Sequence, residues 1–442
     1  MVNLIESCVI KPAKHTPNGL MSLSEFDQVG AITHASIVYL YQSPIDFDSA
    51  IVTLKDSLSN VLVTFYPLAG RLHDIGKGRF EVDCNAIGAQ FLVAESESRI
   101  EDFGDFHPTP QLQTLVPQVD TKAPVHEQPL LLVQVTKLGC GGMCLGLAIS
   151  QIMVDGSSGF HFTNEWARLA RGEQLKNPPF LDRRVLQAKE PALLEPSFDH
   201  PEYGPPPVLM GHTDALEEIK KETTIVMLKL DKKDIEKLKN KANNGENNYP
   251  LCYSRYEVVA GHMWRCACKA RRHASQQLTW LYFPMDVRNR IEPPLPQFYF
   301  GNAVYRAAAT STSGELISKP LSYASSKIRE AKAKATDEYL RSSMMFLKNL
   351  PDVSQCRNFH SPIPEAFYGN PNIDINNSWG RQPSDGLDFG WGEEIYGGTA
   401  AHGSEGKSII MRGSHEDGSF LIMLHLQVAH IEDFKKFFYG DI

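Results

Sequence analysis

Residues Leu145–Gly159 read LGLAISQIMVDGSSG and combine an apolar run, a turn and the first residues of a helical pattern. The apolar run has the length of a strand, and Asp155-Gly156 supplies residues that favour a turn. The helical pattern continues to Gly172, a residue typical of the end of a helix. Side chains at such strand ends often carry function, although the same pattern fits an ordinary corner in which Asp155 caps the helix.

Strand-like and helix-like segments alternate on both sides of this corner. After Asp48, for example, Ile51, Leu54, Leu58 and Leu62 recur at helical spacing and predict one amphipathic helix. Further patterns predict strands at 32–41, 130–136, 143–150, 223–230, 279–285, 407–412 and 419–427, and helices at 156–172, 231–244 and 322–348. This alternation predicts an α/β fold with mixed sheets.

A proline-rich stretch that begins at Pro178 separates two halves of similar size. It carries few periodic signals and is typical of a crossover rather than of a packed element. We predict an N-terminal domain at 1–177, a linker at 178–222 and a C-terminal domain at 223–442. The length of 442 residues suits two such domains.

Composition and charge narrow the possible functions. The chain is 42% apolar and 22% charged, which is ordinary for a folded protein. Its net charge of −8 argues against a nucleic-acid-binding protein. No apolar run reaches the roughly 18 residues of a membrane span, and the N-terminus lacks the pattern of a secretory signal. The eight cysteines show neither a disulfide framework nor zinc spacing, so we expect a cytoplasmic protein without a metal site.

Five motifs follow one another along the chain. They are YPLAGRL at 66–72, QIMVDG at 151–156, EVVAGHMWR at 257–265, DVRNR with PPLP and FGN across 286–302, and DFGWG at 388–392. In this order the chain resembles the BAHD acyl-CoA-dependent acyltransferases of plants. The resemblance implies two chloramphenicol-acetyltransferase-like domains of similar size with a tunnel between them. It also implies a CoA thioester as the acyl-donor substrate, a small-molecule acceptor, no permanently bound cofactor and a monomer.

The general-base position of this family is altered in the chain. The family motif reads HxxxDG, and Gln151 stands where the resemblance places the catalytic histidine. A carboxamide donates and accepts hydrogen bonds but takes up no proton at neutral pH. General-base help contributes about 10²–10⁴-fold to rate, so we expect strongly impaired transfer. The substitution could be engineered, could be natural, or could be compensated by another base such as His161.

The resemblance assigns structural roles to other motif residues. It implies that Asp155 of the Asp155-Gly156 turn pairs with Arg288 rather than touching the substrate. The second motif is expected to form a tight loop through Asp388, Gly390 and Gly392. Trp391 of the same motif either packs or points its indole N–H, a hydrogen-bond donor, toward the tunnel or the developing oxyanion.

Substrate contacts are also implied by the resemblance. Ser254, which precedes the central helix, matches a position near the CoA phosphates. Lys232 and Lys233 would face the CoA entrance, although a lysine-rich helix is also typical of a solvated surface.

The acceptor positions implied by the resemblance lie on the strand at 32–41 and near the second motif. Ala35 and Ile37 are apolar where shikimate-ester enzymes carry hydroxyl residues, and Tyr39 lies on the same strand. Arg381 matches an anchor for the shikimate carboxylate, whereas Glu394 could attract a polyamine.

These residues leave three hypotheses for the function. A hydroxycinnamoyl-CoA:polyamine N-acyltransferase, most similar to the spermidine hydroxycinnamoyl transferases, is the first. A shikimate or quinate O-hydroxycinnamoyltransferase is the second. The third is a non-catalytic protein that binds CoA thioesters or phenolics.

Overall fold

The computed structural model describes residues 2–42, 46–188, 195–243, 252–357, 369–377, 386–400, 403–413 and 418–442. Its strands are β1 (Val2–Ile10), β2 (Leu20–Ser22), β3 (His34–Tyr41), β4 (Arg71–Gly76), β5 (Arg79–Asp83), β6 (Ala89–Ser96), β7 (Leu131–Leu138), β8 (Met143–Ser150), β9 (Thr223–Leu230), β10 (Leu278–Asp286), β11 (Val304–Thr312), β12 (Ile373–Asn376), β13 (Tyr396–Thr399), β14 (Lys407–Arg412) and β15 (Phe420–Gln427). Its helices are α1 (Glu25–Gln28), α2 (Phe47–Thr64), α3 (Pro110–Gln113), α4 (Gly156–Ala170), α5 (Leu216–Ile219), α6 (Lys232–Asn243), α7 (Arg255–Ala270), α8 (Ser313–Ser318), α9 (Leu321–Lys334), α10 (Asp337–Asn349), α11 (Ser354–Arg357) and α12 (Val428–Gly440).

The first six-stranded sheet has the order β1-β6-β7-β8-β3-β13. It is mixed, because β6 and β7 run parallel while β7, β8 and β3 are antiparallel neighbours. Every residue of β8 is buried, as expected for a strand covered on both faces. Helices α2 and α4 pack together, and Leu54, Leu58, Val61 and Phe162 of these helices join one apolar core with the sheet.

The second six-stranded sheet has the order β11-β10-β12-β14-β15-β9. Its core surrounds α7, which begins at a capping box: the Ser254 hydroxyl accepts a hydrogen bond from the Glu257 N–H, and the Glu257 carboxylate accepts one from the Ser254 N–H. Val258, Val259 and Trp264 of α7 are fully buried in this core.

One strand crosses between the two halves of the chain. β13 follows the DFGWG motif in sequence but pairs with β3, placing Thr399 opposite Ile37. The domain boundaries 1–177, 178–222 and 223–442 stay a prediction. They place β13 in the C-terminal domain, although β13 joins the N-terminal sheet. The edge of β3 is therefore covered only after the chain returns from the second half.

The predicted α/β class with two mixed sheets is confirmed. The single helix predicted at 322–348 is wrong, because the segment forms α9 and α10. The Thr336 hydroxyl accepts a hydrogen bond from the Tyr339 N–H at 3.3 Å and caps α10, and Asp337 and Glu338 complement its N-terminal dipole. The N-cap at Thr336 therefore lies inside the apolar repeat and separates α9 from α10.

Candidate active site

A cavity of about 390 Å³ lies between the two sheets. One wall consists of residues 33–37 of β3 and its approach, together with the turn that follows β8. The opposite wall consists of residues from β10, β11, β12 and β14. Gln151 lies on the first wall, so the fold brings this residue to a space lined by both halves.

Gln151 is held from several directions. Its N–H donates to the Thr33 carbonyl at 2.9 Å, and the Thr33 hydroxyl donates to its side-chain oxygen at 3.3 Å. The Asn302 amide donates to the carbonyls of Gln151 and Ile152 at 2.9 and 3.1 Å. The carboxamide is thereby oriented in the cavity, where it can position a substrate by hydrogen bonds.

Asp155 forms a bidentate ion pair with Arg288, with N–O distances of 2.8 and 3.0 Å. Its carboxylate also accepts hydrogen bonds from the N–H groups of Ser158 and Ala303. Burial alone would raise the pKa of Asp155, but the Arg288 charge and these donors outweigh burial and hold the pKa below its usual value. The same pairing raises the pKa of Arg288. Asp155 is therefore ionised, and Arg288 and two backbone N–H groups occupy its carboxylate. A purely structural role for Asp155 stays a prediction.

The DFGWG loop is shaped by its own aspartate. The Asp388 carboxylate accepts hydrogen bonds from the N–H groups of Gly390 and Gly392 at 2.7 and 2.9 Å. Gly390 has a φ of 110°, which a residue with a side chain rarely adopts. Trp391 stacks on Phe389 with ring centroids 5.6 Å apart, and it does not belong to the cavity wall. Its indole N–H has no hydrogen-bond partner among the described residues, and its role as an oxyanion donor stays a prediction.

Three ionisable residues, Arg306, Asp374 and Lys407, lie on the second wall, and we call them the charged cluster. The guanidinium of Arg306 donates to the Asp374 carboxylate at 2.9 Å. Lys407 pairs in register with Asp374 on the neighbouring strand. Burial lowers the pKa of Lys407 to about 8, with Asp374 raising it and Arg306 lowering it further. No contiguous motif marks this cluster, because its members lie on three separate strands.

Two histidines differ in their relation to the cavity. His161, the alternative base considered from the sequence, donates a hydrogen bond through Nε2 to the Asn177 carbonyl at 2.7 Å and does not lie on the cavity wall. His34 does lie on that wall, and its Nε2 donates to the Pro129 carbonyl at 2.7 Å. Burial lowers the pKa of both imidazoles. Nδ1 of His34 is shielded and has no partner among the described residues.

The other predicted contact residues are distributed unevenly. Ala35 and Ile37 lie on the cavity wall. Tyr39 is buried in the N-terminal core, and the Glu394 carboxylate accepts a hydrogen bond from the Leu387 N–H; neither lies on the cavity wall. Arg381 lies outside the described residues.

The positions predicted to bind CoA lie away from this wall. Ser254 caps α7, while Lys232 and Lys233 begin α6 and are exposed. Their contacts with CoA stay a prediction. Among the described residues, no helix is long and apolar enough to cross a membrane. Within the same ranges, no group of three or more His, Cys, Asp or Glu side chains is arranged to hold a metal ion.

The sequence profile described as the Transferase family matches residues 1–441. A hydroxycinnamoyl-CoA:piscidic acid hydroxycinnamoyltransferase from Actaea racemosa is 46% identical over the full length of both chains. The chain belongs to the BAHD acyltransferase family. A shikimate O-hydroxycinnamoyltransferase from Nicotiana tabacum is 39% identical over 99% of each chain. A hydroxycinnamoyl-CoA:5-hydroxyanthranilate N-hydroxycinnamoyltransferase from Avena sativa is 35% identical over 98% of each.

Solved structures share the fold of this BAHD acyltransferase. Vinorine synthase superposes with a TM-score of 0.72 at 21% identity, covering 98% of this chain and 96% of that chain. TRI101 of F. graminearum in complex with coenzyme A and deoxynivalenol superposes with a TM-score of 0.75 at 15% identity, covering 94% and 96%. The chain is thus a CoA-dependent acyltransferase by family, with Gln151 on the wall of the cavity between its sheets.

Proposed function

We propose that this acyltransferase moves a hydroxycinnamoyl group from its CoA thioester to the hydroxyl of a small acid bound beside Gln151. The observation that carries the proposal is the position of the HxxxDG-like turn on the wall of a cavity that both halves enclose. The names of the relatives from Actaea racemosa and Nicotiana tabacum support the acyl donor, because both are hydroxycinnamoyltransferases.

The reaction joins the acceptor oxygen to the thioester carbonyl carbon and breaks the carbon–sulfur bond. The acceptor must lose its proton, and the departing thiolate of CoA must be protonated. Gln151 can hold the acceptor hydroxyl or donate to the carbonyl oxygen, but it cannot carry the proton. We therefore propose that the chain as it stands is slow, and that the impairment resides in proton transfer rather than in binding.

The two catalytic hypotheses differ in the acceptor, which is a polyamine in one and a small hydroxy acid in the other. Ala35 and Ile37 favour the methylene groups of a polyamine, since both are apolar residues of the wall. Arg306 and Lys407 disfavour one, because two cations and one carboxylate repel a polycation. The acids named for the piscidic acid and shikimate relatives fit this charge better. Spermidine therefore stays as the second candidate acceptor. A cytoplasmic location and a monomeric state also stay predictions.

The experiment compares the chain with its Gln151→His variant. Both are incubated with coumaroyl-CoA and with piscidic acid, shikimate, quinate or spermidine, and thiol release is followed. We expect Gln151→His to raise transfer to an acid acceptor by about 10²-fold or more, with little change in KM. The matched control is Gln151→Asn, which keeps a carboxamide and should stay slow.

Other outcomes would change the proposal. Transfer to spermidine alone would favour the polyamine hypothesis over the acid. Retained binding of coumaroyl-CoA without transfer by either form would favour a binding protein. If the chain and Gln151→His both transfer the acyl group as fast as related acyltransferases, a residue other than residue 151 removes the proton.

A further inference from the structure

The charged cluster of Arg306, Asp374 and Lys407 is built into the cavity wall rather than scattered on the surface. Asp374 and Lys407 are 6% and 9% exposed. Buried ionised side chains are uncommon unless they meet a charged or hydrogen-bonding partner. A cluster of this kind inside a substrate cavity therefore points to a ligand of defined charge.

We propose that Lys407 and Arg306 bind a carboxylate of the acceptor, making this wall of the cavity an anion subsite. The inference rests on the proposed function, because it assigns a role to the acid group of the acceptor that the function names. It adds a specificity determinant on the wall opposite Gln151.

The strands direct the three side chains to one face. Tyr282 of β10 pairs with Asp374 of β12, and Asp374 pairs with Lys407 of β14. Residues that pair side by side project from the same face of a sheet. Arg306 of β11 reaches this row from the other side, with its guanidinium 4.8 Å from the centre of the Tyr282 ring and 2.9 Å from Asp374.

Gly403 leaves room for the ammonium group of Lys407. A side-chain carbon added at Gly403 would lie 2.7 Å from Nζ and 2.8 Å from Cδ of Lys407. The lysine side chain therefore extends along the backbone at Gly403. A larger residue there would push the ammonium group away, which gives an independent way to disturb the subsite.

The charges of the wall favour an anion. Asp155, the other carboxylate of the described wall, is neutralised by its bidentate pair with Arg288. The described wall carries two cations, Arg306 and Lys407, beside the carboxylate of Asp374, so an incoming carboxylate meets two groups that attract it. Guanidinium and ammonium groups are the usual partners of carboxylates, and their interaction strengthens where water is excluded. Both cations attract a carboxylate, whereas they repel a further cation.

Calorimetric titration of the intact chain with piscidic acid and with its uncharged amide tests the subsite. We expect the acid to bind at least tenfold more tightly than the amide. Lys407→Met should remove most of this difference while leaving amide binding unchanged, and Lys407→Arg should restore part of it. Lys436→Met, at an exposed lysine of α12, is the matched control and should behave as the parent chain.

Equal affinity for acid and amide in the parent chain would overturn the inference, as would a Lys407→Met variant that weakens both ligands alike. Arg306→Gln and Gly403→Ala provide second routes if Lys407→Met fails to fold, and each should reduce the preference for the acid. Thiol release is measured separately. If the chain prefers the acid but releases no thiol, the anion subsite is supported and the proposed function is contradicted. If the chain acylates neutral acceptors without preferring the acid, only the anion subsite is contradicted.

Discussion

Asp155 and Arg288 face each other across the two halves of the chain and form a bidentate ion pair at 2.8 and 3.0 Å. Asp155 caps α4 beside Gln151, while Arg288 follows β10 and also donates to the carbonyls of Tyr299 and Gly301. The pair therefore fixes the turn that follows Gln151 to the second half of the molecule.

Asp155→Asn should destabilise the chain and disorder the turn beside Gln151. Arg288 would stay largely buried without its anion, and breaking a buried pair at one partner costs about 3–5 kcal/mol. The midpoint of urea unfolding, followed by tryptophan fluorescence, measures this loss. Asp182→Asn is the control, because Asp182 pairs with the exposed Arg184. Similar unfolding midpoints for the two variants would show that the Asp155–Arg288 ion pair contributes little to the free energy of unfolding.

The affinity for an acid acceptor should fall as pH rises through about 8. Burial lowers the pKa of Lys407 to about 8, so its positive charge is present below that pH and is lost above it. Arg306 and Asp374 are the other charged groups of the cluster. The pKa of His425, which adjoins Lys407, is lowered by burial, so its imidazole is neutral in this range. Dissociation constants for piscidic acid and its amide between pH 6.5 and 9.5 measure the effect. Lys407→Arg should abolish the pH dependence, and an unchanged profile in that variant would contradict the assignment.

Glu257 should contribute stability that is lost in acid. Burial would raise its pKa, but hydrogen bonds from Arg329 and Lys332 and the capping box outweigh burial and lower the pKa to about 2. The contribution is complete above the unfolded pKa near 4.5 and disappears as pH falls toward 2. Glu257→Gln should cost about 2 kcal/mol at pH 7 and progressively less below pH 4.5.

Urea unfolding of Glu257→Gln at several pH values checks this expectation. Glu330→Gln serves as the control, since the Glu330 side chain is 60% exposed and pairs only with Lys327 among the ion pairs described. A pH-independent difference between Glu257→Gln and the parent chain would mean that the carboxylate charge is not the cause.

Trp391→Phe should have little effect on transfer in a Gln151→His background. Trp391 packs on Phe389 and Tyr41, away from the cavity wall, and phenylalanine keeps much of that contact. We expect kcat within about threefold of the parent, because loss of an oxyanion donor typically costs 10²–10³-fold. A fall of that larger size, with unfolding unchanged, would place the indole N–H at the reacting oxygen.

The class of fold and the position of the candidate turn could both be predicted from the amino-acid sequence. Apolar runs such as 143–150 and 223–230 predicted β8 and β9 with the observed bounds. These elements could be predicted because strand and helix periodicity are local properties, set by which face of each element meets the core. The ordered motifs showed the family resemblance and the position of Gln151 within it. They could be recognised because each motif is contiguous in the chain.

The surroundings of Gln151, by contrast, depend on how distant segments fold together. The pairing of β13 with β3 and the meeting of Arg306, Asp374 and Lys407 depend on strand order, which no local pattern encodes. The same holds for His34, which lies on the cavity wall, and for His161, which does not. Charges that stand 33 to 101 residues apart in the chain become neighbours because their strands belong to one sheet, in which β10 lies between β11 and β12, and β12 pairs with β14. Their desolvation there sets how they act on a substrate.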